Sequence, residues 1–179
     1  MKPVHLVQLC ALLMAFTTST FAWEPDNKDK RELSAAKAII EAKEKDANLA
    51  AWFESAVAYA VFPRVGKAGI GIGGARGKGI VIQDDTTIGS VTLTQLSIGF
   101  QLGGQVYSEF IFFKDQTALD DFKRGNFELG AQVSAVALNA GASRDASYNK
   151  GVAVFTIAEG GLMYEASVGG QKFKYKNKK

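Results

Sequence analysis

Histidine and cysteine are almost missing from the sequence, which holds one of each in 179 residues. Both lie close to the N-terminus, as His5 and Cys10. Imidazole and thiolate groups supply most nucleophile–base pairs and most ligands of zinc, copper and haem. The chain after residue 22 therefore lacks the residues for Ser-His-Asp or Cys-His catalysis, for those metal sites and for disulfides. We predict no catalytic residue, no metal and no cofactor, and we predict that the protein is not an enzyme.

Carboxylates define the enzymatic alternative. A pair of them can perform acid–base catalysis when their environments separate the two pKa values. Asp84 and Asp85 precede two threonines, a pattern typical of a turn. Glu109 and Glu165 stand on different predicted strands without an identified partner. The sequence therefore favours a non-enzymatic protein over a hydrolase that uses these acids.

The apolar run at residues 4–16 is too short for a membrane-spanning helix, which needs about 20 residues. Lys2 before the run and the small residue Ala22 after it complete the pattern of a secretory signal peptide. Cys10 lacks the small residues that precede a lipid-attachment cysteine, so a free chain is favoured over an anchored one. We predict a signal peptide at residues 1–22, one domain at residues 23–179, and a periplasmic or secreted location, peripheral to a membrane.

Positive charge is concentrated at the end of the chain. The whole sequence carries a net charge of +3, and residues 171–179 contain five lysines and no acid. With Lys2 removed, the rest of the predicted mature chain is left at about −3. A basic end on a mildly acidic body favours an anionic surface as partner and argues against nucleic acid.

Glycine is abundant between residues 60 and 82, which contain seven of the 19 glycines. Gly69, Gly71 and Gly74 match the G-x-G-x-x-G fingerprint of dinucleotide-binding folds. That function requires a helix directly after the glycines, because the helix N-terminus holds the pyrophosphate. The β-branched run at residues 80–82 opposes such a helix. We therefore favour a glycine-rich strand with a bulge or close backbone packing over a cofactor site.

Two helices are predicted before the glycine-rich stretch. The first begins at a cap formed by Asp26 or Asn27 and ends near Asp46. Its apolar stripe consists of Leu33, Ala36, Ile40 and Ala47. The second covers about residues 49–60, and its apolar stripe consists of Leu49, Trp52, Phe53, Ala56, Val57 and Ala60. This second stripe either packs on the core or lies on a membrane, and packing is favoured because the face has few basic residues.

Alternation with period two from Val91 onward predicts strands joined by glycine turns. The predicted strands cover about residues 91–102, 105–113, 127–140, 151–158, 162–168 and 171–176. A short helix at residues 116–124 is capped by Asp115 and ended by Gly125. In the last strand Phe173 and Tyr175 face inward. The predicted fold is α+β, with N-terminal helices packed on a strongly curved, mostly antiparallel, barrel-like β-sheet.

An ordered series of glycine-containing motifs gives the chain a family resemblance. The series begins with Val61-Phe62-Pro63 and Lys67-Ala68-Gly69 and continues through residues 71–81, 97–105, 129–134 and 151–170. In this order the motifs resemble the SYLF domain, a lipid-binding domain also called the yeast actin-patch or Las-seventeen-binding actin-regulator domain. The resemblance covers roughly residues 30–176.

The resemblance implies a non-enzymatic module that binds phospholipid. Eukaryotic members bind phosphoinositides and in some cases actin filaments, whereas bacterial members are typically exported. Because an exported protein meets no actin, we carry over anionic phospholipid binding and not actin binding. The expected partner is an anionic phospholipid or a membrane surface. The alternative is an envelope protein as partner, bound by a structural or interaction module without lipid specificity.

Basic residues in two segments are the expected lipid-binding groups. They are Lys172, Lys174 and Lys176 on the last strand, and Lys67, Arg76 and Lys78 in the glycine-rich stretch. Each lysine near an anionic surface contributes about 1 kcal/mol. Backbone N–H groups in the glycine-rich stretch can also bind phosphate. The alternatives are an exposed sheet edge protected by the three strand lysines, and a solvated turn for Arg76 and Lys78.

Overall fold

The computed structural model describes residues 23–70, 72–98, 103–125, 128–129, 135–159 and 170–178. The helices are α1 (Lys30–Lys45), α2 (Leu49–Ser55) and α3 (Gln116–Lys123). The strands are β1 (Ala58–Ile70), β2 (Ile72–Gln83), β3 (Thr86–Ile98), β4 (Gly103–Phe113), β5 (Glu128–Leu129), β6 (Val136–Ala137), β7 (Val152–Ala158) and β8 (Gln171–Asn177). The predicted signal peptide, the predicted strand at residues 162–168 and Glu165 lie outside the described residues.

These strands form one sheet in the order β5-β8-β3-β2-β1-β4-β7-β6. Every neighbouring pair is antiparallel except β6 and β7, which are parallel. The prediction of an α+β fold with a mostly antiparallel sheet is confirmed. Within the described ranges no strand pairing joins β5 to β6 at the two ends of the order. The sheet is open there, so the barrel-like closure is supported only loosely.

The glycine-rich stretch forms a β-hairpin from β1 and β2, which pair along almost their whole lengths. A strand follows the fingerprint glycines, so they do not meet the requirement for a dinucleotide site. The register shifts between Val61 and Arg64, where Pro63 has no N–H to donate to the ladder. At Gly79 an added Cβ would lie 2.4 Å from the carbonyl oxygen of Val61. The predicted bulge and the predicted close backbone packing are both confirmed.

The second helix is shorter than the sequence pattern predicts. It ends at Ser55 and β1 begins at Ala58, so the extension to Ala60 is wrong. Ala58 pairs with Gln83 on one side and with Phe113 on the other. Two neighbouring strands therefore supply backbone hydrogen bonds that override the helical propensity of this alanine-rich segment.

The side chains of α2 pack on the sheet, as the favoured interpretation predicts. Leu49 is fully buried, while Trp52 and Phe53 are half-buried. The ring centroid of Trp52 lies 4.9 Å from that of Phe155, and the ring centroid of Phe53 lies 4.9 Å from that of Phe112. Edge-on contacts of this kind stabilise aromatic pairs by about 0.5–1.5 kcal/mol beyond area burial.

The first helix buries a different stripe from the predicted one. Its N-cap is Asp29, whose carboxylate accepts a hydrogen bond from the N–H of Arg31 at 2.8 Å. Leu33 and Ile40, which the pattern placed on the core, are 42% and 47% exposed. The residues that are buried are Glu32, Ala35, Ala38, Ile39 and Ala42. Alanine is small enough to let the helix backbone approach the sheet, and a stripe defined by large apolar residues misses such a face.

The sheet buries side chains on both of its faces. Helices α1 and α2 cover one face, termed here the α1 face, whose core includes Val61 and Ile80. Helix α3 covers the opposite face, termed here the α3 face, whose core includes Phe62, Phe113 and Phe173. Because successive strand residues alternate between faces, the lysines on either side of Phe173 belong to the α1 face.

Candidate functional site

Basic residues of β2 and β8 share rows across the α1 face. In one row a threonine of β3 lies between Lys172 and Arg76, and in the next row a threonine of β3 lies between Lys174 and Lys78. Lys176 follows in a third row, and all five side chains are exposed. Neighbouring strands lie about 4.8 Å apart, and same-face residues of one strand lie about 7 Å apart. The Cα atoms of the four basic residues in the first two rows therefore outline a patch of about 10 by 7 Å. Two segments that are 94 positions apart in the chain meet here.

Arg64 of β1 extends the second of these rows, because it pairs directly with Lys78 and is exposed. The sequence analysis missed Arg64, since the face on which it lies depends on the bulge at Pro63. None of the salt bridges among the described residues involves Arg64, Arg76 or Lys78. Their charges are therefore available to a ligand.

Lys67 lies apart from this basic surface. It belongs to the α3 face, where it pairs with Ala75 and Gln105, and its side chain is 8% exposed. Burial lowers the pKa of Lys67, since the charged ammonium loses hydration. The structure therefore brings together five of the six predicted binding residues and separates Lys67 from them.

The end of β8 is attached to α1 by an ion pair. The Nζ of Lys178 donates to Oε1 of Glu32 at 2.7 Å, and Glu32 is almost fully buried. Burial opposes ionisation of Glu32, but hydrogen bonds from the N–H of Asp26 and from Lys178 keep its pKa below the usual value. Lys178 therefore has a structural partner, while the pair fixes the position of the strand that carries the lysine row.

A groove of about 540 Å³ separates the N-terminal end of α1 from the basic rows. Its floor contains Gly66, Gly77 and Gly79, and the basic side chains of β1 and β2 line it together with Lys30 and Arg31 of α1. An added Cβ at Gly66 would meet no atom within 4 Å, so the space above this strand is open. Anionic groups can therefore reach the backbone of the glycine-rich hairpin between cationic walls.

A second groove of about 570 Å³ adjoins the first and shares Gly66 and Arg76 with it. It lies toward the end of the sheet at which β1 and β2 are joined. Ala68, Gly74 and Leu96 form the next row here, and Leu96 is 82% exposed. The α1 face thus changes from basic to apolar along the strands.

A buried polar cluster lies on the α3 face. Glu109 is completely buried, and its Oε2 accepts a hydrogen bond from Nε2 of Gln171 at 2.9 Å. The same amide nitrogen lies 3.5 Å from the hydroxyl of Tyr107. Burial raises the pKa of Glu109 to about 8, although the bond from Gln171 acts in the opposite direction. The carboxyl group is therefore neutral at pH 7 in the folded protein.

The three described acids among those considered for a hydrolase are not arranged as a catalytic pair. Glu109 has no contact with solvent, while Asp84 and Asp85 form an exposed turn with φ values of 47° and 55°. The structure, over the residues it describes, brings together no group of three or more His, Cys, Asp or Glu side chains able to hold a metal ion. Over the same part of the chain, no helix has the length and apolar character needed to cross a membrane.

Comparison with known proteins identifies the family. The Ysc84 family, described as "Las17-binding protein actin regulator", has a model that matches residues 94–179. This part of the chain belongs to that family, also called SYLF. A relative from Aeromonas veronii, named "Beta cell expansion factor A", is 30% identical over 124 residues. That match covers 68% of this chain and 46% of the relative, so the chain spans about half the length of that protein.

The matched SYLF region contains part of the candidate surface. It includes Leu96, Thr94 and the β8 lysines, and it excludes Thr92, Arg76, Lys78 and α1. SYLF domains form a family of non-enzymatic binding domains, linked to lipids and to protein interaction. The basic rows and the adjoining grooves are the features of the α1 face that fit such a role.

Proposed function

We propose that this SYLF protein is an exported, non-enzymatic module that binds anionic phospholipid headgroups at the bacterial envelope. The observation that carries the proposal is the exposed basic patch on the α1 face, formed by Arg76, Lys78, Lys172, Lys174 and Lys176. The predicted signal peptide supports export. A peripheral location, periplasmic or secreted, follows from the same two features.

The size of the electrostatic contribution indicates reversible binding. At about 1 kcal/mol for each basic residue near an anionic surface, five residues contribute about 5 kcal/mol. That free energy corresponds to a dissociation constant between the millimolar and micromolar ranges. Because salt screens exposed charges over about 8–10 Å, this binding should weaken strongly as ionic strength rises.

An envelope protein is the alternative partner, and one observation favours it. Beyond Lys172, the residues of β8 pair with β3 and with no other strand in the described part of the chain. This segment therefore offers an open sheet edge to which a partner strand could add. The lysines of the same segment oppose such pairing, because charged side chains protect exposed edges.

The first prediction tests the basic patch by charge reversal. A variant with Lys172→Glu, Lys174→Glu and Lys176→Glu should lose at least about 3 kcal/mol of binding, or at least about 100-fold in affinity. The measurement is sedimentation with vesicles of phosphatidylglycerol and phosphatidylcholine, compared with phosphatidylcholine alone. Circular dichroism should confirm that the variant folds, since all three side chains are exposed.

A matched control has the same change of net charge at exposed lysines outside the rows, with Lys45, Lys114 and Lys150 replaced by glutamate. This control should bind almost as the wild type does. An equal loss of vesicle binding by both triple variants would mean that binding depends on net charge and not on the patch. Unchanged binding of the first variant, together with a protein partner captured by crosslinking, would favour the envelope-protein alternative.

A further inference from the structure

We propose that the apolar end of the α1 face enters the acyl layer of an anionic bilayer, with Leu96 as the inserted side chain and the basic rows at headgroup level. This inference rests on the proposed function and adds to it an orientation of the protein on the membrane. The second groove is then occupied by the part of a phospholipid acyl chain that lies next to the headgroup.

The spacing of the rows carries the first step. Leu96 pairs with Gly74, and the following row contains Arg76 and Lys172, so apolar and basic rows are direct neighbours. Successive rows lie about 7 Å apart. Amphipathic segments at a membrane surface bury their apolar side about 5–10 Å into the boundary between headgroups and acyl chains. One row spacing therefore matches the depth between a phosphate layer and the first part of the acyl chains.

The exposure of Leu96 carries the second step. Its side chain is 82% exposed, about twice the exposure of Leu33 and Ile40 on α1. Beyond its row, the backbones of β1, β2 and β3 pair three isoleucine positions at residues 70, 72 and 98. Transfer of one exposed leucine from water into an apolar layer favours binding by about 10- to 100-fold.

The second groove carries the third step, because it offers room beside Leu96. It has a volume of about 570 Å³ and its apolar lining includes Ala68 and Leu96, while Arg76 and Lys172 lie at its basic side. The open space above Gly66 connects it to the first groove. A phospholipid placed here has its phosphate among the cations and its acyl chain along the apolar row.

The test places a fluorescent probe at the proposed depth. Leu96→Trp should show a blue-shifted emission with phosphatidylglycerol vesicles and strong quenching when the acyl chains carry bromine. The control is Leu33→Trp, because Leu33 is also an exposed leucine but lies on α1. The background from Trp23 and Trp52 is measured with the wild type.

A binding measurement supports the probe. Leu96→Asp should weaken sedimentation with the same vesicles by at least about 10-fold, and Leu33→Asp should change it by less than twofold. If wild-type protein sediments with the vesicles but the tryptophan at 96 is not quenched, insertion is wrong and headgroup binding stands. If wild-type protein does not bind these vesicles at all, both this inference and the proposed function fail.

Discussion

Replacing Glu109 by glutamine should stabilise the protein at neutral pH and leave its stability at acidic pH almost unchanged. Glu109 is completely buried on the α3 face, with one hydrogen bond from Gln171 to its Oε2. Its Oε1 has no hydrogen-bond partner in the described part of the structure. Burial penalises the ionised form, so the folded protein keeps this carboxyl group protonated to about pH 8.

The magnitude follows from the difference between the folded and unfolded states. The carboxyl group has a pKa of about 8 in the folded protein and an ordinary value of 4.5. Between these values the folded state binds more protons, so the stability that Glu109 contributes is full below pH 4.5 and is lost as pH rises through 8. The loss amounts to about 3 kcal/mol at pH 7 and about 5 kcal/mol above pH 8. Glutamine has almost the same shape and no charge, so it removes this loss.

The assay is urea unfolding followed by circular dichroism at pH 4.5, 7 and 8.5. Between pH 4.5 and pH 8.5 the free energy of unfolding of the wild type should fall by about 3 kcal/mol or more beyond any fall seen for Glu109→Gln. Glu44→Gln provides the control, since Glu44 is an exposed acid on α1. If the wild type and Glu109→Gln lose stability in parallel over this range, Glu109 is not a neutral buried acid and the reasoning fails.

Two further changes test local contacts that stabilise the fold. Gly79→Ala should destabilise the protein by about 2 kcal/mol or more in the same urea assay, because the added Cβ would collide with the carbonyl oxygen of Val61. The control Gly66→Ala should cost less than about 0.5 kcal/mol, because an added Cβ there meets no atom within 4 Å. Equal effects of the two substitutions would contradict the close packing at Gly79. Asp46→Asn should cost about 2 kcal/mol at pH 7, because hydrogen bonds such as that from the N–H of Ser143 at 2.7 Å overcome burial and hold the pKa of Asp46 well below its usual range. That contribution is present above pH 4 and is lost as pH falls further, so a cost that stays constant down to pH 2 would contradict it.

Local features of the fold could be predicted from the sequence because a few neighbouring residues determine them. Asp115 caps α3 by accepting from the N–H of Ala118 at 2.9 Å, and Gly125 ends the helix with φ of 73°. Alternation in β8 places Phe173 in the core and the lysines outside, as predicted. Each of these features is determined within about eight consecutive residues, so it can be predicted without knowing which distant segments pack against it.

Features that depend on distant partners could not be predicted in this way. Three of the five buried residues of α1 are alanines, and their role follows from the close approach of the sheet. The end of α2 is set by strands β2 and β4, which pair with Ala58. The proximity of the two basic segments follows from the strand order, in which β3 alone separates β2 from β8. For that reason the sequence predicted two separate basic groups where the structure has one surface.

The bulge at Pro63 determines which residues of β1 lie on each face of the sheet. Before it, odd-numbered residues of β1 such as Val61 belong to the α1 face; after it, even-numbered residues such as Arg64 do so, while Val65 and Lys67 enter the α3 face. One extra residue at the midpoint of β1 thus reverses which of its alternate side chains lie on which face. A deletion there would exchange the two faces over the second half of β1, moving a cation inward and a core valine outward. Insertions and deletions at this point are therefore expected to be selected against, more strongly than substitutions of any single cation on the surface.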